Sequence, residues 1–526
     1  MSFISFCVWI VSRFSDIKYD TPVWYSVIWA SFFLLWLLLR GLYHLMTSGW
    51  HSTTFFILKH FVYPHLLPKV PFLGTATRFQ IIATTLYLTA NVLFVALPKA
   101  SWAEAGARAA TMSIINLVPL LCGPRICLMT KVLGISLQSS IGSHRWVGRT
   151  TITLAMLHMI VSLKDGGTFS WTSGSASGVV ASSALGFIFI LSIRLMRSLQ
   201  YETFLNSHLI LALVALVAIW CHIPEKKAAT LFLQFGICLW VAMSMVHWCL
   251  FVFRNFVFGR AFATAVVKPL SNQRKTGELD PEQIMQVDIT IPRPWRVRAG
   301  QHIFVSIPKL GILRGLRGHP FVITWWDRDI TGLTVTLLIK SRTGFTRELR
   351  RHVEKPLRVF VDGPFGIRHN FGDYGTVVMV ATGIGIAGHI PYLKELISGY
   401  NSCEILEISL HAEEYGKKDE TYGSHDKLNK SFGLLDVEGL LQKELSARRG
   451  RVIVSRKPPA PPATGPTFCI CADQQVCAEA AVADRARAHV QARMDERVRF
   501  VELDFQPSQC ESLVTDTAEM EFTCRG

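Results

Sequence analysis

Four histidines carry the most legible chemistry in the chain. His144 and His158 lie in the apolar stretch SHRWVGRTTITLAMLHMIVSL, and His208 and His222 lie in NSHLILALVALVAIWCHIP; each pair is fourteen residues apart. Four helical turns take about 14.4 residues, so each pair falls on one helical face, its members about 21 Å apart along the axis. Within a hydrocarbon core about 30 Å thick, that spacing puts one histidine in each half. Two such helices side by side make two His–His pairs, one at each level. Neutral imidazole is a common metal ligand, and one imidazole on each side could hold an iron porphyrin. Iron ligated on both sides has no open position, which suits electron transfer better than oxygen binding. A single histidine in a membrane helix reads as a helix–helix hydrogen-bonding residue. Four at matched spacing on two helices read as two bis-histidine haem sites.

A second set of residues lies far along the chain. Residues 383–388, GIGIAG, fit G-x-G-x-x-G, after the apolar run TVVMVAT and before the helical HIPYLKELISGY. Glycines there let a backbone approach a pyrophosphate closely, and the bare pattern is otherwise a tight turn. The flanking strand and helix favour a dinucleotide at Gly383 and Gly385. Choice between NADPH and NADH is open from the residues. The second strand ends in His411, Ala412, Glu413 and Glu414, with no arginine for a 2′-phosphate. Arg456, with Lys457 beside it, either fills that role or is a solvated edge before the Pro-rich loop 458–466.

The elements that must position these residues divide the chain in two. The first half holds seven candidate spans, at about 22–45, 79–98, 109–129, 144–163, 177–197, 203–222 and 230–254, each near the ~20 residues a crossing needs. Basic residues cluster in alternate loops: Arg40 to Arg78, Arg125 to Arg149, Arg194 with Arg197, and Arg254 with Arg260. The positive-inside rule then places residues 255–526 in the cytosol and the N-terminus outside. His144 is thereby expected to pair with His208 near the cytosol, and His158 with His222 near the outside. Arg145 and Arg149 flank the inner pair, where haem propionates need cations or where any cytosolic flank is basic. His247 has no partner at this spacing and reads as structural.

The second half begins with short β-rich runs from about Ala261, separated by turn residues, which predict a small antiparallel barrel. After residue 372, strand–helix alternation predicts a doubly wound parallel sheet with strands in TVVMVAT, EILEISLHA, RVIVSRK and TFCICA. The polar stretch 415–432 reads as an insertion or mobile loop. The expected divisions are a short outer N-terminus (1–21), a membrane domain (22–256), a barrel (261–368), an α/β domain (372–510) and a loose tail (511–526).

Composition agrees. Half the 526 residues are hydrophobic and only 17% are charged, as a chain with long membrane runs requires. The net charge of +16 is spread over membrane-flanking loops and a soluble domain, so it points to anionic lipid and not to nucleic acid. The twelve cysteines show no disulfide framework and read as reduced.

With these residues in view, the sequence resembles the fungal ferric-chelate reductases, a metalloreductase branch of the flavocytochrome b superfamily that includes the NADPH oxidases. The resemblance runs from about the second span to Phe505. It is carried by the two histidine segments and by AGQHIFVSIP at 299–308, GHPFVITWW at 318–326, KSRTGFTREL at 340–349, DGPFG at 362–366 and VATGIGIAGHIPYL at 380–393. The resemblance implies a haem-binding four-helix core followed by a ferredoxin-reductase-like module, an FAD-binding β-barrel plus a Rossmann-like nucleotide domain. It implies that His319, Pro320 and Phe321 form the FAD-binding HPF signature and that Gly344 and Thr346 contact the pyrophosphate. It also implies that Cys471 stands where the family has the cysteine of its CGP motif, beside the nicotinamide. Where the family often has a hydroxyl after HPF this chain has Val322, with Thr324 two residues later; CGP is Cys471-Ala472-Asp473; and the usual acidic-aromatic ending is replaced by FVELDFQPSQC.

The expected function is a multi-pass plasma-membrane oxidoreductase. It carries electrons from cytosolic NADPH, with NADH not excluded, through FAD and two b-type haems to extracellular ferric or cupric chelates, and serves iron uptake alongside an iron permease and oxidase system. In the oxidase branch the second histidine pair is typically one residue closer, so equal spacing favours the metalloreductase over a superoxide-producing NADPH oxidase. A non-redox transporter or receptor explains the spans but not the histidines or the ordered motifs.

Overall fold

The computed structural model describes, almost continuously, residues 74–97, 101–121, 137–164, 172–193, 201–223, 228–259, 262–270, 284–311, 317–329, 332–341, 344–374 and 376–400, with shorter stretches within 23–38, 56–70 and 408–502. The chain divides into two compact units. One comprises residues 1–126, 139–244 and 513–526, the other 127–138 and 245–512.

The first unit is helical. Its helices are α1 (Arg78–Ala96), α2 (Trp102–Leu121), α3 (Leu137–Lys164), α4 (Ser173–Leu191), α5 (Tyr201–His222) and the first turns of α6 (Ala228–Asn255). A short hairpin of β1 (His65–Val70) and β2 (Gly74–Thr77) leads into α1. Capping boxes set two starts: Thr77 with Gln80 begins α1, and Thr172 with Ser175 begins α4. Five helices among the described residues are long and apolar enough to cross a membrane, namely α1 and α3 to α6. Helix α2 begins at Trp102, ahead of the expected 109, and carries Glu104 and Arg108 in its first turns. Of the expected first span, Tyr25–Leu35 forms a shorter apolar helix. Many large apolar side chains point outward, including Leu86, Val92, Ile160, Phe187 and Ile210, as lipid-facing positions of a multi-pass membrane protein do.

Inside, small cores join the helices. Val95, Ala109, Met112 and Leu154 pack α1, α2 and α3, and Ile152, Ala184, Leu185 and Ala215 pack α3, α4 and α5. A buried polar network sits beside the first core. Asn116 Nδ2 donates to Asn91 Oδ1 (2.7 Å), and Tyr87 donates to Asn116 Oδ1 (2.9 Å). Asn91 Nδ2 donates to the Tyr25 hydroxyl (3.0 Å). Each amide answers the others, so the network joins these helices where water could not.

The second unit opens with the last turns of α6 and continues into β-structure. The five-stranded antiparallel sheet runs β7-β8-β4-β3-β9, with β3 (Thr264–Pro269), β4 (Ile284–Ile291), β7 (Trp325–Asp329), β8 (Gly332–Lys340) and β9 (Leu357–Arg358). A three-stranded antiparallel sheet, β10-β5-β6, contains β5 (His302–Ser306), β6 (His319–Val322) and β10 (Phe360–Phe365). Strict alternation in β4 and β8 turns Met285, Val287, Ile289, Leu333, Val335 and Leu337 into one shared core with Ile303 and Val305. The short helix α7 (Phe345–Arg350) plugs it with Phe345 and Leu349.

Beyond the barrel, β11 (Thr376–Val380), β15 (Val452–Arg456) and β16 (Val498–Glu502) form a parallel sheet, and α8 (Ile390–Tyr400) follows β11. Two features differ from the sequence reading. Strand β12 (Ile408–Ala412) does not join that sheet but pairs in parallel with β14 (Leu428–Phe432), which pairs antiparallel with β13 (Glu420–Tyr422). The polar stretch 415–432, read as an insertion or mobile loop, therefore contains two strands. Backbone pairing with a distant strand satisfies its peptide groups where the side chains give no apolar signal. The expected strand TFCICA lies outside the described residues.

Candidate functional site

Helices α3 and α5 bring the four histidines together two by two. The ring centres of His144 and His208 are 6.3 Å apart, as are those of His158 and His222. One metal bound to a nitrogen of each ring at about 2.0 Å would put the ring centres about 6 Å apart. Two imidazoles on one metal can take any rotation about the common axis, so the interplanar angles of 63° and 60° suit this arrangement.

The support behind the rings is equally specific. His158 Nδ1 lies 3.1 Å from the Gly106 carbonyl oxygen, and His222 Nδ1 lies 2.7 Å from that of Gly174. A carbonyl can only accept, so each Nδ1 carries the proton and each Nε2 keeps its lone pair for a metal. Glycines at close helix crossings lie at or near both carbonyls. A Cβ at Gly106 would stand 2.7 Å from Val161 Cγ1. At Gly178, one turn after Gly174, it would stand 2.7 Å from His222 Cε1 and 2.8 Å from Nδ1. The second pair is built otherwise. His208 Nδ1 is buried without a hydrogen-bond partner among the described residues, with the Phe204 ring 5.6 Å away. Arg145 and Arg149 stand exposed beside His144, and the Arg149 guanidinium lies 5.0 Å above the Trp146 ring.

In the second unit, β6 and α7 bring the HPF and GFT segments into contact. His319 stacks on Phe345 at 4.0 Å with planes 20° apart, while Phe321 turns into the barrel core. Pro320 sits opposite Phe304 in β5. Gly344 is the N-cap of α7 at φ 66°, a left-handed value that a glycine adopts freely, and Thr346 follows in the first turn. Thr324 is buried, and its hydroxyl accepts the Leu338 N–H (3.3 Å). Next to this face, His302 is buried between Phe304 and Phe365, with neither ring nitrogen hydrogen-bonded among the described residues. Burial pushes its pKa down to about 4.

Gly383 and Gly385 fall in a 3₁₀ turn between β11 and α8. Tyr392 of α8 stacks on Phe371 at 4.3 Å, and burial raises its phenol pKa. Arg456 ends β15, its backbone paired with Val380 and Glu502. Cys471 lies outside the described residues.

Sequence reasoning missed one joint. The Asn255 amide, at the end of α6, grips the Val361 backbone of β10 at both ends: Nδ2 donates to the carbonyl and Oδ1 accepts the N–H, each at 2.8 Å. Two turns earlier His247 Nε2 lies 3.3 Å from the Asp362 carboxylate. His247, read as structural and without a histidine partner, has this carboxylate of the DGPFG segment as a neighbour. An asparagine ending an apolar helix was the only signal in the sequence.

Comparison with known proteins agrees with the order of these parts. Residues 109–219 match the family model of the ferric reductase like transmembrane component, and residues 271–369 match that of an FAD-binding domain. The first match contains His144, His158 and His208 and stops just short of His222; the second contains His319 and Gly344. Ferric reductase transmembrane component 3 of Saccharomyces cerevisiae is 24% identical over 277 residues, 50% of this chain and 36% of that protein. Ferric/cupric reductase transmembrane component 1 of Candida albicans is 26% identical over 287 residues, 52% of this chain and 35% of that protein. Ferric/cupric reductase transmembrane component 7 of Saccharomyces cerevisiae is 25% identical over 342 residues, 61% of this chain and 52% of that protein. The chain thus spans about a third to a half of the length of these relatives. The chain is thus similar, over about half of its length, to fungal ferric and ferric/cupric reductase transmembrane components, with a segment matching a ferric reductase like transmembrane component followed by one matching an FAD-binding domain.

Proposed function

We propose that the chain is a transmembrane oxidoreductase that takes electrons from cytosolic NADPH and delivers them to extracellular ferric or cupric chelates, serving reductive iron uptake with a permease and oxidase system. The reading places it in the plasma membrane with residues 255–526 in the cytosol. When bound, nicotinamide, FAD and two b-type haems would supply hydride donation, hydride acceptance and single-electron relay in that order.

The chain's own residues fit those groups. His144 and His208 would hold one haem and His158 with His222 the other, at ring separations of 6.3 Å. Gly106 and Gly174 fix the protonated nitrogen of the second pair, which leaves the opposite nitrogen to ligate. Arg145 and Arg149 would face the propionates of the first. His319, Pro320 and Phe321, with Gly344 and Thr346 brought alongside by the His319–Phe345 stack, would hold the flavin. Gly383 and Gly385 would let the nucleotide approach the backbone. Arg456 would answer a 2′-phosphate, and Cys471 would stand beside the nicotinamide.

The carrying observation is the pair of equal ring separations together with carbonyl-held Nδ1 atoms on His158 and His222. The test is a reduced-minus-oxidised spectrum with haem stoichiometry for the purified protein and for His158→Ala and His208→Ala. Two haems are expected, and one in each variant; a protein without reduced b-type bands refutes the reading. Intact-cell reduction of a ferric chelate, insensitive to superoxide dismutase, is the expected acceptor result. A signal wholly removed by the dismutase, with no iron reduced, would assign the chain to superoxide production instead.

A further inference from the structure

A cleft of about 400 Å³ opens where the barrel meets α8, and its walls are strongly basic. Arg296 and Arg298 come from the loop between β4 and β5, Arg368 from the segment after β10, and Lys394 from α8. One wall is the Trp326 side chain, and the one acidic residue lining the cleft is Glu395.

The hydrogen bonds divide these cations into two kinds. Lys394 is held: it donates to the Trp326 carbonyl oxygen, pairs with Asp327 at 3.0 Å and lies 3.9 Å over the Trp325 ring. Arg368 is partly engaged, 3.6 Å from Glu395, whose other oxygen already accepts the Ala299 N–H at 2.9 Å. Arg296 and Arg298 are exposed, and neither has an anionic partner among the described residues. The cleft therefore keeps an excess of positive charge that nothing described neutralises. Neither Gly383 nor Gly385 is among the residues that line the cleft.

We propose that this cleft is a binding site for a phosphate monoester carried on a small polar body, which bridges the barrel and the α/β lobe. Guanidinium groups give such an oxyanion paired, charge-assisted donors, while Lys394, committed to Asp327 and the Trp326 carbonyl, fixes one side of the cleft. The volume exceeds that of inorganic phosphate alone and leaves room for a glycerol- or sugar-sized body beside Trp326. Two sources carry this chemistry, a soluble phosphate ester and the headgroup of an anionic phospholipid, and both are at hand for a membrane protein.

The experiment uses the full-length protein in neutral detergent and, in parallel, in nanodiscs. Calorimetric titration with glycerol 3-phosphate, at matched ionic strength in chloride, tests the soluble source. Thermal shift in phosphatidylcholine nanodiscs, with and without phosphatidic acid, tests the headgroup. Saturable binding in either arm is expected, weakened about tenfold by Arg298→Gln and further by Arg296→Gln with it, since each charged hydrogen bond is worth roughly one decade or more. Both side chains are exposed, so unliganded melting temperatures should match the parent. Binding in the nanodisc arm alone assigns the headgroup source. No saturable response in either arm, or equal affinity in the double variant, overturns the proposal.

Discussion

Gly178→Ala offers a sharp test of the paired-histidine arrangement. The added methyl carbon would lie 2.7 Å from His222 Cε1 and 2.8 Å from Nδ1, distances that real side chains do not tolerate. Neither partner yields easily, because Gly178 is on helix backbone and His222 is held by the Gly174 carbonyl at 2.7 Å. Relief requires the imidazole to swing away. That breaks the Nδ1 hydrogen bond, about 1 kcal/mol net, and adds overpacking of about 1–3 kcal/mol. A ligand held by His158 and His222 would therefore bind roughly thirty- to a thousandfold more weakly, at about 1.4 kcal/mol per decade. Gly186→Ala is the matched control in the same helix, because nothing lies within 4 Å of its Cβ position. There the substitution should stabilise the helix by about 0.5–1 kcal/mol. The assay is haem content per protein and the reduced spectrum of both variants. Gly178→Ala should lose one haem of two while Gly186→Ala keeps both. Two haems with an unchanged spectrum in Gly178→Ala would refute the account of what positions His222.

Three further outcomes follow from the same geometry. Asn255→Ala leaves the N–H and the carbonyl of Val361 unpaired in a buried place, which should cost about 2–4 kcal/mol, read as earlier protease cleavage at the start of the barrel. Asn116→Leu strips the amide that serves both Asn91 and Tyr87, and should lower the thermal midpoint of the helical unit more than Thr111→Leu, whose half-buried side chain bonds within its own helix. His302 has a folded pKa near 4 against 6.5 unfolded, so the fold favours its neutral form. Its stability is fully present above pH 6.5 and declines as pH falls towards 4, by up to about 3 kcal/mol. His302→Phe should flatten the melting temperature across that window, and a parallel decline in the variant would show that other groups cause it.

What was legible in the sequence is what repeats locally. The histidine pairs stood out because the helical period places residues fourteen apart on one face, and the helices formed over those stretches. The barrel stood out because alternation in stretches such as IMQVDITI and LTVTLLIK leaves one set of side chains to a core. Helix α2 began earlier than read because Glu104 closes on the Ser101 N–H at 3.0 Å and starts a turn that apolar counting passes over. The strands at 420–422 and 428–432 were hidden because β14 pairs with β12 and β13 with β14, while the sequence there shows no sustained apolar alternation.

The residues that hold the histidines were hidden for a related reason, and it bears on how such sites can be found. A glycine has no side chain to signal a role, and Gly106, Gly174 and Gly178 act only through what a neighbouring helix brings against them. Gly174 offers its carbonyl to His222 of α5, and Gly178, four residues on, offers the space of its missing Cβ. Gly106 does both for α3, accepting from His158 and clearing Val161. The two events coincide because a carbonyl in a helix is already committed to its own ladder. A donor on another helix can reach it only where the two helices come near, which small residues permit. At His158 and His222, where a carbonyl holds Nδ1, a small residue on the neighbouring helix makes the room. Gly142 and Gly148 of α3, with nothing within 4 Å of their Cβ positions, lack such a neighbour. Substitution to alanine at those two sites should leave haem content intact, which separates the glycines that seat an imidazole from those that merely lie in the same helices.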